Sequence, residues 1–209
     1  MLTDAKVKSL LYDEPRLYDL VFPDADDTLG VMCRSAFERY LSAPPVSVLD
    51  VGCGTGRLLD SLSKTIAECW GVDYMETNIA YAQAARPQLV VQQGDMRAVR
   101  LGRTFDVVTC FGNVLSYALT NDDLVRTVET FAAHANAGSL LIVDVLNALA
   151  RQFVGALEGN PAFVFVRVDA LEVRIAPRGL GWHVSPCRLG RRFLRAGRRG
   201  LAGRRDRDE

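Results

Sequence analysis

This 209-residue chain has little of what marks several large classes of protein. It has no uninterrupted apolar run of about 18 residues, the length a helix needs to cross a bilayer, so no membrane span is expected. The opening "MLTDAKVKSLLYDEP" lacks the long apolar stretch and small-residue cleavage site of a secretory signal. The five cysteines (Cys33, Cys53, Cys69, Cys110, Cys187) are odd in number and contain no C-x-x-C pair, which argues against a disulfide framework and a structural zinc site. A reduced, cytoplasmic location follows as the expectation. Histidine occurs only as His134 and His183. No H-x-E or H-x-x-D pair and no carboxylate cluster accompanies them, so no metal is expected.

The formal charge of zero hides an asymmetry. Residues 1–173 hold 22 acidic and 14 basic side chains, whereas 174–209 hold 11 arginines against Asp206, Asp208 and Glu209. Few aromatics and no nucleic-acid motif accompany the basic stretch, so nucleic acid is set aside as a partner. "PRGLGWHVSPCRLGRRFLRAGRRGLAGRRDRDE" is rich in Arg, Gly, Leu and Ala and shows no clear amphipathic period. It reads as out-of-frame translation of GC-rich DNA, and disorder is expected for it.

Between residues 46 and 144 strands and helices alternate, which implies βαβ units and a parallel sheet. "VSVLDV" (46–51), "AECWGVD" (67–73), "QLVVQQGD" (88–95), "FDVVTCF" (105–111) and "SLLIVDV" (139–145) read as strands, and "AFVFVRVDALEV" (162–173) as further β structure. Helices are expected over 28–41, 56–64 and 75–86. Another starts after Thr120, a suitable N-cap, with Asp122 and Asp123 in its first turn, and should end at Gly138. His134 falls late in this helix, where it reads as a helix-dipole partner or a surface residue.

The most informative segment is "SVLDVGCGTGRLLD", where Gly52, Gly54 and Gly56 alternate between a strand and a helix. Such a loop lets backbone N–H groups approach an anionic or nucleotide-like ligand at the positive end of a helix. The dinucleotide fingerprint G-x-G-x-x-G would need glycine at Arg57. Asp73 ends the next strand about 20 residues on, where a carboxylate can accept ribose hydroxyls.

The order D-x-G-x-G-x-G, strand-end Asp73 and "QGDM" resembles class I S-adenosylmethionine-dependent methyltransferases, over roughly residues 10–147. The likeness is closest to small-molecule enzymes that methylate amines such as glycine or amino sugars. It implies a doubly wound, mainly parallel, Rossmann-like α/β sheet, here with its C-terminal strands incomplete. It also implies S-adenosylmethionine as methyl donor, S-adenosylhomocysteine as product and a small-molecule acceptor. The cofactor set that the resemblance implies is Tyr12, Asp50, Gly52, Cys53, Gly54, Thr55, Gly56, Asp73, Tyr74, Asp95, Met96 and Phe111, with Asp95 at the adenine amino group and Met96 against the ring.

Asn113, in "CFGNVLSY", corresponds to an asparagine that faces the substrate amine in glycine-type enzymes, although the serine of their G-N-S is Val114 here. Ser116 and Tyr117 follow it. "LLYDEPRLYDLVF" is similar to the segment that closes over the cofactor. Tyr18 is then a catalytic candidate whose ring caps the sulfonium, or else it packs with Leu20 and Phe22; both readings stand. The implied organisation is an N-terminal cap (1–45), a cofactor-binding core (46–147), a partial β extension (148–175) of the kind used for substrate binding and homodimer formation, and the arginine-rich tail (176–209). The absence of a metal or histidine base favours methyl transfer to nitrogen. Transfer to a hydroxyl, and cofactor binding without turnover, are the competing readings.

Overall fold

The computed structural model describes residues 14–23 and 26–144, and the backbone alone of 145, 162–167, 172–177 and 187–188. In chain order these form α1 (Pro15–Val21), α2 (Thr28–Tyr40), β1 (Ser47–Val51), α3 (Arg57–Leu62), β2 (Glu68–Asp73), α4 (Glu76–Ala85), β3 (Val90–Gln93), β4 (Phe105–Cys110), a 3-10 turn (Val114–Tyr117), α5 (Asn121–Ala133), β5 (Ala135–Val145), β6 (Ala162–Arg167), β7 (Glu172–Pro177) and β8 (Cys187–Arg188). The strands lie in the order β3-β2-β1-β4-β5-β6-β7-β8. β1 to β5 are parallel and β6 to β8 antiparallel.

The alternation of strand side chains builds a core on each face of the sheet. Val48, Val107, Leu140 and Ile142 meet Cys33, Phe37, Leu59, Leu62 and Ala82 of α2, α3 and α4 on one face. Leu49, Val51, Val108 and Val143 meet Phe131 of α5 on the other. Chain order reverses between β1 and β4, and their C-terminal ends open the crevice in which doubly wound sheets bind ligands.

Three expectations change. α5 does not end at Gly138: its C-cap is His134, and β5 begins at Ala135. Gly138, at φ +94°, instead belongs to an irregularity in β5, where one residue of β4 but four of β5 separate the pairs Phe105↔Ala135 and Val107↔Leu140. His134 is no surface residue: it stands at the C-cap of α5 and bonds a carbonyl of the helix's last turn. It is fully buried, its Nδ1–H donates to Thr130 O at 2.7 Å, and its Nε2 accepts the Leu101 N–H at 2.9 Å. Residues 162–173 divide into β6 and β7, paired antiparallel up to Arg167↔Glu172, because an apolar run shows no sign of where the chain reverses. Most of the arginine-rich tail lies outside the described residues, although β7 extends to Pro177 and β8 pairs with it.

Thr120 and Asp123 form the expected cap of α5, each side chain taking the other's backbone N–H.

Candidate functional site

All three loop glycines have positive φ (Gly52 82°, Gly54 54°, Gly56 83°), a region that costs other residues about 1–2 kcal/mol. Their missing Cβ atoms serve different ends. At Gly52 a Cβ would lie 2.4 Å from Val114 Cγ2, so that space belongs to the 3-10 turn after β4. At Gly56 it would lie 3.0 Å from Leu89 Cδ1. Gly54 alone of the three faces open space, with nothing within 4 Å, and Gly112 at the end of β4 is open in the same way.

Strand-end carboxylates surround these loops. Asp73 Oδ2 accepts the Gly54 N–H at 2.8 Å, and Oδ1 accepts the Met75 N–H at 2.9 Å and Asn78 Nδ2 at 3.1 Å. The bond to Gly54 ties the end of β2 to the loop after β1. Asp50, paired in register with Thr109 across β1 and β4, accepts the Thr109 hydroxyl at 2.7 Å. Burial pushes its pKa up to about 7, the negative charges of Asp73 and Asp144 add to this, and the Thr109 bond opposes it. Asp144, from β5, accepts the Gly112 N–H at 3.0 Å and the Asn113 N–H at 3.1 Å.

Asp95 is clasped by Arg97, with Nη2–Oδ2 at 2.6 Å and Nε–Oδ1 at 2.9 Å. The Arg97 hydrogen bonds hold its carboxyl below the usual carboxylate range. Arg97 also reaches Asp123 at 3.1 Å, joining the loop after β3 to the cap of α5. Met96 packs against the α5-side core.

Cys53 turns inward: a Cβ on Gly71 of β2 would sit 2.7 Å from its sulfur, and burial raises its thiol pKa. Burial likewise raises Cys110. Phe111 belongs to the core on the α2–α4 face, whereas Tyr74 is exposed.

The Thr55 hydroxyl donates to Asp19 Oδ1 of α1 at 2.6 Å, and Arg86 bridges Asp19 Oδ2 at 3.0 Å and Thr55 O at 2.9 Å. Arg57 Nε stands 3.3 Å from Asp19, with its guanidinium 5.2 Å from the centre of the Tyr18 ring. Tyr18 also stacks on Phe22 at 5.0 Å. Tyr12 lies outside the described residues.

Asn113 adopts φ +60° at the start of the 3-10 turn, and its Oδ1 is buried without a hydrogen-bond partner among the described residues. The structure therefore brings Asp50, Gly52, Gly54, Asp73, Asn113 and Asp144 to the C-terminal ends of adjacent parallel strands. Sequence reasoning missed Asp19, Arg86, Arg97 and Asp144. Only Asp144 carried a signal, since "VDV" at 143–145 repeats the strand-end aspartate of "LDV" at 49–51. Among the described residues, no group of three or more His, Cys, Asp or Glu side chains is placed to hold a metal ion.

A parallel 3-2-1-4-5 sheet with alternating glycines at its switch point is the fold of class I S-adenosylmethionine-dependent methyltransferases. Residues 48–139 match the family described as a methyltransferase domain. The chain is 35% identical over 134 residues to a Streptomyces venezuelae dTDP-3-amino-3,4,6-trideoxy-alpha-D-glucopyranose N,N-dimethyltransferase, covering 63% of this chain and 56% of that protein. It is 33% identical over 130 residues to the dTDP-3-amino-3,6-dideoxy-alpha-D-glucopyranose N,N-dimethyltransferase of Streptomyces fradiae, covering 61% and 51%. It thus spans about half the length of these curated relatives. Among solved structures it shares its fold with CalS10, an amino pentose methyltransferase of Micromonospora echinaspora solved with S-adenosylmethionine bound. The TM-score is 0.56 at 23% identity, over 68% of this chain and 62% of that one.

Proposed function

We propose that this chain transfers a methyl group from S-adenosylmethionine to the amine of a small molecule, with a nucleotide-linked amino sugar as the acceptor class. The observation that carries the reading is the bond from Gly54 N–H to Asp73 Oδ2, with open space where a Gly54 side chain would stand. The residues fit this donor. Gly54 leaves room for backbone contact with a ligand, and Asp73 is a fixed carboxylate with capacity beyond its three hydrogen bonds to accept a ribose hydroxyl. Asp50, Gly52, Cys53, Thr55 and Gly56 shape that loop, and Asp95 and Met96 hold the adenine side. Tyr74 and Phe111 flank it. Tyr18, on α1, is assigned to the N-terminal cover.

Bound S-adenosylmethionine would supply an activated sulfonium methyl for the amine nitrogen and leave as S-adenosylhomocysteine, the amine's surplus proton passing to water; the site's own part would be to hold donor and amine in line. A neutral amine needs orientation more than a base, and Asn113 Oδ1 is a buried acceptor suited to one of its N–H groups. His134, the one histidine among the described residues, is committed to Thr130 and Leu101, which favours nitrogen over a hydroxyl acceptor. Four buried free thiols (Cys33, Cys53, Cys69, Cys110) accord with a reducing cytoplasm. We assign the β extension over residues 148–175, which includes β6, to substrate binding and homodimer formation. Among the described residues, no helix is long and apolar enough to cross a membrane.

Titration calorimetry with S-adenosylhomocysteine, using Asp73→Ala as control, tests the donor site. Micromolar binding that weakens at least tenfold in the variant is expected. A folded wild-type chain that does not bind would sink the proposal. Incubation with S-adenosylmethionine and dTDP-3-amino-3,6-dideoxy-alpha-D-glucopyranose, followed by mass spectrometry, then tests the acceptor. Methyl on nitrogen is expected; methyl on oxygen, or binding without turnover, replaces the amine assignment.

A further inference from the structure

Gly112 and Asn113 are successive left-handed residues, at φ +78° and +60°. In this turn the two successive backbone N–H groups point to the same acceptor. That acceptor comes from within the protein. Asp144 Oδ2 takes the Gly112 N–H at 3.0 Å, and the Asn113 N–H is shared between Oδ1 at 3.1 Å and Oδ2 at 3.2 Å. Strand register puts the carboxylate there: β5 pairs Val143 with Cys110, so Asp144 stands beside the first residues after β4. Asp144 itself is only 5% exposed.

The conformation has a cost. Left-handed backbone is unusual for a residue with a Cβ, even for asparagine, and is held only where surrounding contacts demand it. Asp144 makes that demand through the Asn113 N–H. The consequence is visible one bond further out. Asn113 Oδ1 is buried without a hydrogen-bond partner among the described residues, an arrangement that favours a ligand bearing a hydrogen-bond donor. Gly112, with nothing within 4 Å of its absent Cβ, leaves space beside that acceptor.

We infer that Asp144 is a positioning residue for the methyl acceptor: its carboxylate, seated on the Gly112 and Asn113 N–H groups, holds Asn113 left-handed so that Oδ1 is presented to the acceptor's N–H. This rests on the reading of Asn113 as the amine contact. In this role Asp144 makes no contact with the substrate and acts on the acceptor through Asn113.

A double-mutant cycle separates this role from ordinary support of the fold. Asp144→Asn keeps the shape but replaces one acceptor oxygen by a donor. Asn113→Gly keeps the left-handed backbone and removes the amide. With dTDP-3-amino-3,6-dideoxy-alpha-D-glucopyranose as acceptor, each variant should lose at least tenfold in kcat while S-adenosylhomocysteine affinity stays within about threefold. The double variant should be no slower than Asn113→Gly, because Asp144 has nothing left to position. Multiplying losses, or parallel loss of S-adenosylhomocysteine affinity, would overturn the inference.

Amide hydrogen exchange gives a readout that needs no turnover. In full-length Asp144→Asn, the Gly112 and Asn113 amides should exchange at least tenfold faster while those of Leu49 and Val108 stay within twofold. A wild-type chain that binds S-adenosylhomocysteine but does not methylate the amine refutes the acceptor assignment, and the exchange result then decides the role of Asp144. Unchanged protection at Gly112 and Asn113 overturns it.

Discussion

Asp19 and Arg86, 67 residues apart in the chain, meet at 3.0 Å between Oδ2 and Nη2. The contact fastens α1 to the glycine loop, since Thr55 donates its hydroxyl to Asp19 and accepts from Arg86 at its carbonyl. The N-terminal helix therefore shares its anchor with the proposed cofactor loop.

Replacing Asp19 with alanine should affect both. Arg86 and Asp19 are only 14% and 16% exposed, so solvent screens the pair weakly and its loss leaves guanidinium groups short of acceptors. We expect a stability loss of about 2 kcal/mol in urea unfolding, as for a hydrogen bond to a charged group. Affinity for S-adenosylhomocysteine should fall several-fold by calorimetry. Unaltered affinity in a destabilised variant would show that α1 is merely attached to the loop and not coupled to it.

The glycines should separate by function. Gly52→Ala drives a methyl into Val114, and overpacking of this kind costs about 1–3 kcal/mol in addition to the backbone strain. Val114→Ala should restore part of that loss, because it removes the clashing methyls. Gly54→Ala meets nothing among the described residues, so its stability cost should be limited to about 1–2 kcal/mol of left-handed strain. Its S-adenosylhomocysteine affinity should nevertheless drop at least tenfold. Thermal unfolding and calorimetry on the three variants check the contrast.

Asp50 should make stability depend on pH. Its pKa is raised in the folded chain from 3.8 to about 7, so the native state holds a proton that the unfolded chain releases. The unfavourable contribution is absent below about pH 4, grows as pH rises toward 7, and levels off above it. Asp50→Asn, which retains an acceptor for Thr109, removes the burial of charge. The variant should gain on the wild type between pH 5 and 8, by an amount on the order of 2–4 kcal/mol at the upper end. A stability difference that stays constant over that range would contradict it.

The parallel core was legible because its signals are local. Short runs rich in Val and Leu such as Ser47–Val51 and Phe105–Cys110 mark strands buried on both faces, and alternating glycines mark the loop that follows β1. The Thr120 cap was legible for the same reason, since both partners lie within one helical turn. Gly138 misled because a glycine after a helical pattern looks like a stop, whereas a register shift against β4 is known only once the strands are paired.

What the sequence determined by itself was the order of strands and helices, the backbone freedom of Gly52, Gly54 and Gly56, and the placing of Asp50 and Asp73 at strand ends. These follow from side-chain periodicity, Cβ sterics and a single strand's length. Tertiary structure decided which glycine is open to a ligand, that Asp144 meets Asn113, that Arg97 reaches Asp123, and that Asp19 holds Arg86. Residues 26 to 67 apart meet in such contacts only when parallel crossovers bring distant strand ends together. No local pattern in the chain records which of its many charged side chains will be brought face to face.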